Sequence, residues 1–455
     1  MKIARNLCIK YSVFVLLALL TAGVPIVHGT AFAAEETFSK TIIAVPGGLN
    51  SFDIGFVDPQ IGFYFLADRT NKTVDQVKTS DNSIKQLAAG SFVGVQPGTD
   101  TSGPNGVITA NDHTEVWAAD GVLCGNPPGS ISCDATSTPP PTVTQKSRIR
   151  VIDLKTGNVT HTINNGGNRR ADELCEDPQQ HVVLVANDNE KDLFLTFIST
   201  DTYKVVGKLF LDGTDPNAQN VKATNGIEQC QWSPRTRKFY LAIPEVNGSG
   251  ANTVPGAVLE INPASMKVQK VFPIDFGFVA GPPATADCLG PQGLAIGPQR
   301  EILLGCSNAG KGTVIIDELD GSLVRNLPGL NGNDEVWYNP GDNHYFLAGS
   351  NHTGGPILGV VDQTPDANDN EDASVATAAG SHSVAADPVK NQVYVPGNQS
   401  ATTLCGGSNG CIAVFTATND DPGVCNGPGT PANGQGKQGD PVFLRQVCPD
   451  NNGHP

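Results

Sequence analysis

A seven-residue motif returns seven times along the chain, and each copy begins with a polar side chain. In six copies a proline lies six positions after that side chain, and in the second copy Asn111 takes the place of the proline. A polar turn and a β-rich run such as FYFLAD (63–68) follow each copy, so the repeated unit predicts a strand, a turn and a second strand. We call the first residue of each copy its leading residue. The leading residues are Asp53, Asn105, Asp172, Glu228, Gln292, Asp334 and His382.

The spacing of the copies predicts a ring. Successive leading residues are between 42 residues (292 to 334) and 67 residues (105 to 172) apart, which is typical of propeller blades that carry loop insertions. One small antiparallel sheet cannot bury both of its faces, so the units must stack around a common axis. The sequence therefore predicts an all-β fold, a seven-bladed β-propeller.

The second half of each unit predicts two further strands. The segments 148–154 and 158–163, for example, alternate apolar and polar residues around a Thr-Gly turn, which is typical of a hairpin and makes the blades four-stranded and antiparallel. The last unit has three strands of its own, the third at 411–416, and lacks a fourth. We expect the unpartnered segment KTIIAV (40–45) to supply its fourth strand, because this pairing closes the ring and removes exposed sheet edges.

The N-terminal residues predict a secretory signal. Three basic residues precede an apolar run (13–27), and Ala-Phe-Ala at 31–33 forms a small-residue cleavage site. The apolar run is short and contains Pro25, so we expect no membrane span. The mature protein is expected to be secreted or periplasmic, with cleavage near Ala33. The predicted organisation is a signal peptide at 1–33, the propeller at 34–420 and a Gly/Pro/Asn-rich tail at 421–455.

The net charge argues against one class of partner. The chain has 45 acidic and 29 basic residues and a formal charge of −16. Such a chain repels phosphate backbones, and no basic stripe interleaved with aromatic residues offsets this, so nucleic acid is not an expected partner. We expect a small-molecule ligand or substrate instead. The sequence leaves the oligomeric state open.

The cysteines predict disulfide bonds. Of the eleven, Cys8 lies within the signal, which leaves an even number in an exported chain. Most pairs are expected to bracket one loop, one blade or the tail, and the remaining two cysteines pair by elimination across neighbouring inner strands. The expected pairs are Cys124–Cys133, Cys288–Cys306, Cys405–Cys411, Cys425–Cys448 and, by elimination, Cys175–Cys230.

The seven leading residues are the main candidates for a functional site. The first strand of each propeller blade lines the central channel, so we expect these residues to converge at one channel mouth. Four are carboxylates, and at a separation of about 8 Å and an effective dielectric constant of about 20 each pair repels by roughly 2 kcal/mol. A bound cation, raised pKa values or a wide, wet channel would each relieve this repulsion. Acid and amide oxygens suit Ca²⁺, Mg²⁺ or Mn²⁺ better than zinc. The alternative is that these positions are polar only because solvent fills the channel.

Three of the motifs resemble a known family. The segments PNGVITANDHTEVWAAD (104–120), EQCQWSP (228–234) and PQGL (291–294) resemble repeats of the senescence marker protein/gluconolactonase/luciferin-regenerating group. The strand openings are also similar to those of NHL and YVTN-type repeat propellers. The gluconolactonase resemblance implies that a glutamate, an asparagine and an aspartate hold one divalent cation in the channel, where lactones are hydrolysed. Gln292 stands where that family has the aspartate, and that family has six blades.

The resemblance implies a metal-dependent hydrolase of lactones or esters, with roles for the leading residues and for two strand ends. The alternative is a propeller that binds a ligand or a protein without catalysis. Asp68 and Asp120, at the ends of second strands, are expected to face the same mouth or to cap turns. Within this reading we expect Glu228 and Asn105 to bind the metal ion, with Asp53 as a further candidate ligand and with Asp172 or Asp334 as the third ligand or the catalytic base. The expected catalytic residues are Asp172, Asp334 and His382, and His382 and Gln292 are expected to contact substrate.

Overall fold

The computed structural model describes residues 37–97, 99–133, 141–307, 310–362 and 373–418. Within these ranges the strands form seven four-stranded antiparallel sheets, and a two-stranded ribbon is inserted in the second of them. This confirms the all-β, seven-bladed β-propeller.

The strands follow the repeats of the sequence, one blade to each motif. Blade 7 is completed by the first strand of the chain, β1 (Phe38–Ala44). Blade 1 contains β2 (Phe52–Asp58), β3 (Phe63–Asp68), β4 (Thr73–Lys78) and β5 (Ile84–Leu87). Blade 2 contains β6 (Val107–Ala110), β7 (Glu115–Asp120), the inserted ribbon β8 (Leu123–Cys124) and β9 (Val143–Gln145), β10 (Arg148–Asp153) and β11 (Val159–Asn164). Blade 3 contains β12 (Leu174–Asp177), β13 (Val182–Asn187), β14 (Phe194–Ser199) and β15 (Lys204–Phe210).

The remaining blades repeat the same order. Blade 4 contains β16 (Cys230–Ser233), β17 (Lys238–Ile243), β18 (Gly256–Asn262) and β19 (Lys267–Ile274). Blade 5 contains β20 (Pro291–Ile296), β21 (Glu301–Cys306), β22 (Gly312–Asp317) and β23 (Leu323–Pro328). Blade 6 contains β24 (Val336–Asn339), β25 (His344–Gly349), β26 (Ile357–Asp362) and β27 (Ala373–Ala376), and blade 7 contains β28 (Ala385–Asp387), β29 (Gln392–Gly397) and β30 (Cys411–Ala417). Two short 3-10 turns lie at Thr99–Thr101 and Pro216–Ala218.

The first strand of every blade lies at the centre of the ring. Each of β2, β6, β12, β16, β20, β24 and β28 packs against the first strands of both neighbouring blades, so the seven surround one channel. The leading residues lie at or just before the starts of these strands, and the motif prolines follow their ends. We call the two ends of the channel the leading end and the proline end.

The last two positions of the motif form the turn that leaves the channel. A short polar side chain before the proline accepts a hydrogen bond from a backbone N–H two residues further on. Asp58 accepts from Gln60 at 3.0 Å, Asn339 from Gly341 at 3.1 Å and Asp387 from Val389 at 3.0 Å. Such side chains mimic a backbone turn, and proline fixes φ within it. The repeated Asp/Asn-Pro pair is therefore explained by turn chemistry.

Aromatic residues of the second strands fill the space between blades. Tyr64, Tyr240, Tyr345 and Tyr394 are fully buried. The rings of Tyr64 in blade 1 and Tyr394 in blade 7 stack with their centroids 4.6 Å apart, where the two ends of the ring meet. Each such side chain removes a large apolar area from water, so the blades are held together mainly by burial between their faces.

The strand that closes the ring is the one predicted from the sequence. Strand β1 pairs antiparallel with β30, from Phe38 opposite Ala417 to Ala44 opposite Cys411. The N-terminal strand and the last blade therefore share one sheet, and this pairing covers an edge of β30 that would otherwise be open.

Four of the five expected disulfides are confirmed. The Cα atoms are 5.3 Å apart in Cys124–Cys133, 5.8 Å in Cys175–Cys230, 5.4 Å in Cys288–Cys306 and 5.5 Å in Cys405–Cys411. Four bonds of this kind fit an oxidising, extracellular compartment. The fifth expected pair, Cys425–Cys448, lies outside the described residues, as do the signal peptide and the tail. Within the described ranges, no helix is long and apolar enough to cross a membrane.

The two most different loops allow a test of what the disulfides contribute. Cys175 and Cys230 are 55 residues apart, whereas Cys405 and Cys411 are 6 apart. If restriction of the unfolded chain dominates, the Cys175→Ala/Cys230→Ala variant should lose about 4 kcal/mol of unfolding free energy and the Cys405→Ala/Cys411→Ala variant about 2 kcal/mol. Urea unfolding of both variants measures the difference. An equal or larger loss for the short loop would contradict this account.

Candidate functional site

The structure brings the leading residues together at one end of the channel. The His382 ring nitrogen Nε2 lies 3.2 Å from a carboxylate oxygen of Asp53, which joins blades 7 and 1. Backbone hydrogen bonds join other neighbours at the same level: the Gly106 N–H donates to the Asp172 carbonyl, the Gln229 N–H to Gln292 and the Glu335 N–H to His382. Three of the leading residues at this end are buried, and the other four are partly exposed: Asp53, Asn105 and Asp172 are the buried ones.

Two arginines that the sequence analysis did not assign to the site lie among the leading residues. Arg69 follows β3 directly; its guanidinium forms an ion pair with Asp53 and donates from Nε and Nη2 to the Asn105 side-chain oxygen at 3.0 and 2.7 Å. Arg170 lies two residues before Asp172 and pairs with that carboxylate at 2.7 Å. It also contacts Asp188 at 3.2 Å and Asp53 at 3.4 Å. Part of the negative charge at the mouth is thus offset by the chain itself.

The charges that remain are reflected in the pKa values of the carboxyl groups. Burial raises the pKa of Asp172, Glu228 and Asp334, and neighbouring carboxylates raise it further. Burial alone would raise the pKa of Asp53. Arg69, His382 and Arg170 together outweigh this effect and hold the pKa of Asp53 below its usual range. Asp53 is therefore the leading carboxylate whose ionised form its partners favour most, whereas burial disfavours the ionised forms of Asp172, Glu228 and Asp334.

The donor set expected for a divalent cation is largely engaged in other contacts. The Asn105 oxygen accepts from Arg69, and its amide nitrogen donates to the carbonyls of Ser102 and Ala171. Asp53 is shared by two guanidinium groups, which would repel a metal ion beside them. In the part of the chain that the structure describes, no three His, Cys, Asp or Glu side chains converge as they would around one metal ion. This arrangement does not fit the expected site, and the channel metal stays a prediction.

The two strand-end aspartates make contacts of the turn-capping kind. Asp68 accepts a hydrogen bond from the Asn71 backbone N–H at 2.9 Å. Asp120 accepts from the Val93 N–H at 3.0 Å and pairs with Arg148 at 2.9 Å. The residues that contact the leading end come directly after the last residue of a second strand: Arg69 follows β3 and Asp188 follows β13. Successive side chains of a strand point in opposite directions, so a shift of one residue changes which side chain faces the channel.

A pair of carboxyl groups lies just inside the leading residues. Glu173 and Glu335, each next in sequence to a leading residue, face one another across the channel within hydrogen-bonding reach. Both are about 5% exposed. Burial raises the pKa of both carboxyl groups well above the usual range, so at least one of them carries a proton that it can share with the other. Glu173 of this pair also lines the cavity described next.

Beyond the pair, the channel widens into a cavity of about 550 Å³ that extends to the proline end. Four large aromatic residues line it, Phe56, Trp232, Trp337 and Tyr338, and the first three are partly exposed. The rings of Phe56 and Trp337 meet edge to face with centroids 5.7 Å apart. Cavities of 300–1,000 Å³ with mostly apolar walls are typical of small-molecule sites. The cavity was not predicted from the sequence, because its aromatic residues do not occupy the leading position of the motif.

Polar groups enter the same cavity from blades 1 to 3. Asp58 accepts a hydrogen bond from the Thr109 hydroxyl at 2.6 Å and lies 2.6 Å from Nδ1 of His113. The Glu176 carboxylate accepts from the Asn111 N–H at 3.0 Å. Burial raises the pKa of Glu176 to about 7. The cavity therefore has an aromatic part and an acidic part.

The comparisons with known proteins show the fold alone. No family model and no curated protein matches the chain, so the resemblance to the gluconolactonase group has no support from them. Among solved structures, the chain is similar to one in the crystal structure of the mitotic checkpoint complex, with 11% identity, a TM-score of 0.56, and coverage of 90% of this chain and 100% of that one. It is also similar to hydrazine synthase of Kuenenia stuttgartiensis, with 14% identity, a TM-score of 0.55, and coverage of 87% of this chain and 99% of that one. For the Pan2 WD40 domain of Neurospora crassa the identity is 10% and the TM-score 0.51, with coverage of 86% of this chain and 98% of that one.

The carboxyl pair predicts an unusual dependence of stability on pH. Because the folded-state pKa of Glu335 is raised, the unfolded chain loses this proton first as pH rises, and the folded state loses stability above the unfolded pKa of about 4.3. We expect Glu335→Gln, which keeps a hydrogen bond to Glu173 without a titrating group, to lose less stability between about pH 5 and about pH 8 than the unmodified protein.

Urea unfolding at the two pH values measures this difference. The matched control is Asp192→Asn, which removes an exposed carboxylate and should leave the pH dependence of the unmodified protein intact. Parallel pH profiles for Glu335→Gln and the unmodified protein would show that the pair does not titrate as described.

Proposed function

We propose that this protein is an exported binding propeller that holds a small organic ligand in the proline end of its channel without converting it. The cavity lined by Phe56, Trp232 and Trp337 is the observation that carries the proposal. Its volume matches a drug-sized molecule, and its aromatic walls supply apolar area that a ligand would remove from water. Export rests on the N-terminal sequence and on the disulfides.

Binding without catalysis is favoured by the arrangement of the leading end. Asp53, Asp172 and Asn105, which a hydrolase would use as metal ligands or bases, form ion pairs or hydrogen bonds with Arg69 and Arg170. None of the seven leading residues is among the described residues that line the cavity. A ligand in the cavity would therefore contact aromatic and acidic side chains of the proline end.

Metal-dependent hydrolysis of a lactone or ester is the second candidate. One observation favours it: five carboxyl groups (Asp53, Asp172, Asp188, Glu228 and Asp334) interact at the leading end with two guanidinium groups, which leaves an excess of acid. In this case Glu228 and Asp334 are the residues left to bind Ca²⁺, Mg²⁺ or Mn²⁺, and His382 would contact substrate.

Tryptophan fluorescence can test the binding proposal. The chain has three tryptophans; Trp232 and Trp337 line the cavity, and Trp117 is fully buried within blade 2. We expect a neutral aromatic probe, N-phenyl-1-naphthylamine, to bind saturably at one site and to change the protein fluorescence. Trp232→Ala should weaken binding about tenfold, equivalent to about 1.4 kcal/mol of lost apolar contact.

Two controls make the result specific. Trp117→Phe should keep the probe-induced fluorescence change, because its side chain does not line the cavity. Val279→Ala changes an exposed apolar residue and should leave the affinity unaltered. The proposal fails if no small aromatic probe binds saturably, or if binding is insensitive to both Trp232→Ala and Trp337→Ala.

A separate experiment tests the hydrolase. Protein purified without added ions is expected to contain less than one equivalent of divalent metal and to show no turnover of lactones or esters with Ca²⁺, Mg²⁺, Mn²⁺ or Zn²⁺. Stoichiometric metal, together with turnover that is lost in Glu228→Gln, would favour the hydrolase over the binding propeller.

A further inference from the structure

The ionisable side chains in the walls of the cavity are mainly acidic. Four carboxyl groups line it (Asp58, Asp112, Glu173 and Glu176), whereas no lysine or arginine occurs among the described residues around it. One histidine, His113, is present and is paired with Asp58. A low-dielectric chamber walled by acids favours cations and disfavours anions, because water cannot screen the charges there as it does in bulk.

Glu176 is the acid best placed to meet a ligand. Its only hydrogen bond to the described backbone or side chains comes from the Asn111 N–H, and no described basic side chain forms an ion pair with it. The ionised form is penalised by burial in the absence of a counter-ion. A ligand cation would supply that counter-ion.

The acidic and aromatic parts of the cavity are held side by side by a covalent bond. Glu176 follows Cys175 on β12, and Gln231 and Trp232 follow Cys230 on β16. The Cys175–Cys230 disulfide joins these neighbouring inner strands with their Cα atoms 5.8 Å apart. The carboxylate of Glu176 and the indole of Trp232 therefore belong to adjacent, cross-linked strands, and their separation is fixed before a ligand arrives.

We propose that the cavity takes an organic cation, whose ammonium group lies near Glu176 and whose apolar part packs against Trp232, Trp337 and Phe56. This inference rests on the proposed binding function and names the class of its ligand. An ammonium group over an aromatic face is attracted by the ring quadrupole, by about 2 kcal/mol or more when water is excluded. A carboxylate beside it adds an ion pair that a neutral molecule of the same shape does not form.

The proposal carries a pH dependence of known sign. The carboxylate form of Glu176 becomes the major one as pH rises through about 7. The positive charges of two nearby histidines, His113 and His181, lower the pKa of Glu176, whereas the negative charge of Asp112 raises it. Affinity for an organic cation should therefore rise between about pH 6 and about pH 8, while affinity for a neutral molecule should not.

Matched ligand pairs provide the test. Quaternary ammonium compounds from choline to benzyltrimethylammonium are titrated against the protein by calorimetry and tryptophan fluorescence, each beside its neutral carbon isostere, such as 3,3-dimethylbutan-1-ol for choline. At about pH 8 we expect the cation to bind at least about tenfold tighter than its isostere. Glu176→Gln should remove most of this preference and its pH dependence, whereas Asp192→Asn, which removes the same charge from an exposed site, should keep both.

The outcomes separate this inference from the function on which it rests. If isosteres bind as tightly as cations, or if N-phenyl-1-naphthylamine binds and no quaternary ammonium compound does, the organic cation is excluded and the binding propeller stands. If neither class binds, the binding function itself is overturned. A preference for cations that Glu176→Gln leaves unchanged would place the charge recognition elsewhere and would also contradict the proposal.

Discussion

The meeting of polar strand starts around one axis depends on two guanidinium groups, that of Arg69, which is buried, and that of Arg170, which is partly buried. Arg69 links Asp53 of blade 1 to Asn105 at the start of blade 2, and Arg170 links the same Asp53 to Asp172 and Asp188 of blade 3. Carboxyl groups brought this close together need a positive partner or a raised pKa. Both are present: Asp53 and Asp172 form ion pairs with the arginines, and burial raises the pKa of Glu228.

This charge balance divides the channel into two parts with different properties. At the leading end, Arg69 and Arg170 form ion pairs with Asp53 and Asp172. The proline end keeps a cavity with partly exposed aromatic side chains and an acid, Glu176, that forms no ion pair with a described lysine or arginine. Groups that are already paired stabilise the fold, whereas groups that lack a partner are available to a ligand. The functional proposals accordingly concern the proline end.

Much of the fold could be predicted because its causes recur along the chain. The motif proline and the polar residue before it form the same turn in several blades, and this regular signal fixed the number of blades. The closing strand followed from counting strands in the last unit, and the Cys175–Cys230 bond followed from the neighbouring position of two inner strands.

The site could be predicted only in part, because its decisive residues do not recur. Side chains of several leading residues interact at one end of the channel, among them Asp53, His382 and Asp172. Arg69 and Arg170 lie outside the motif, and each occurs in one blade only, so a search for repeated positions does not find them. The cavity aromatics fall within the motif but at different places: Phe56 and Trp337 are fourth in their copies and Trp232 is fifth. The compensating charges and the cavity aromatics therefore break the symmetry that packing preserves.

Glu173 belongs both to the carboxyl pair with Glu335 and to the wall of the cavity. A molecule held in the cavity would therefore act on one partner of a proton-sharing pair. Occupancy of the cavity and titration of the pair would then be thermodynamically linked, so that each changes the free energy of the other.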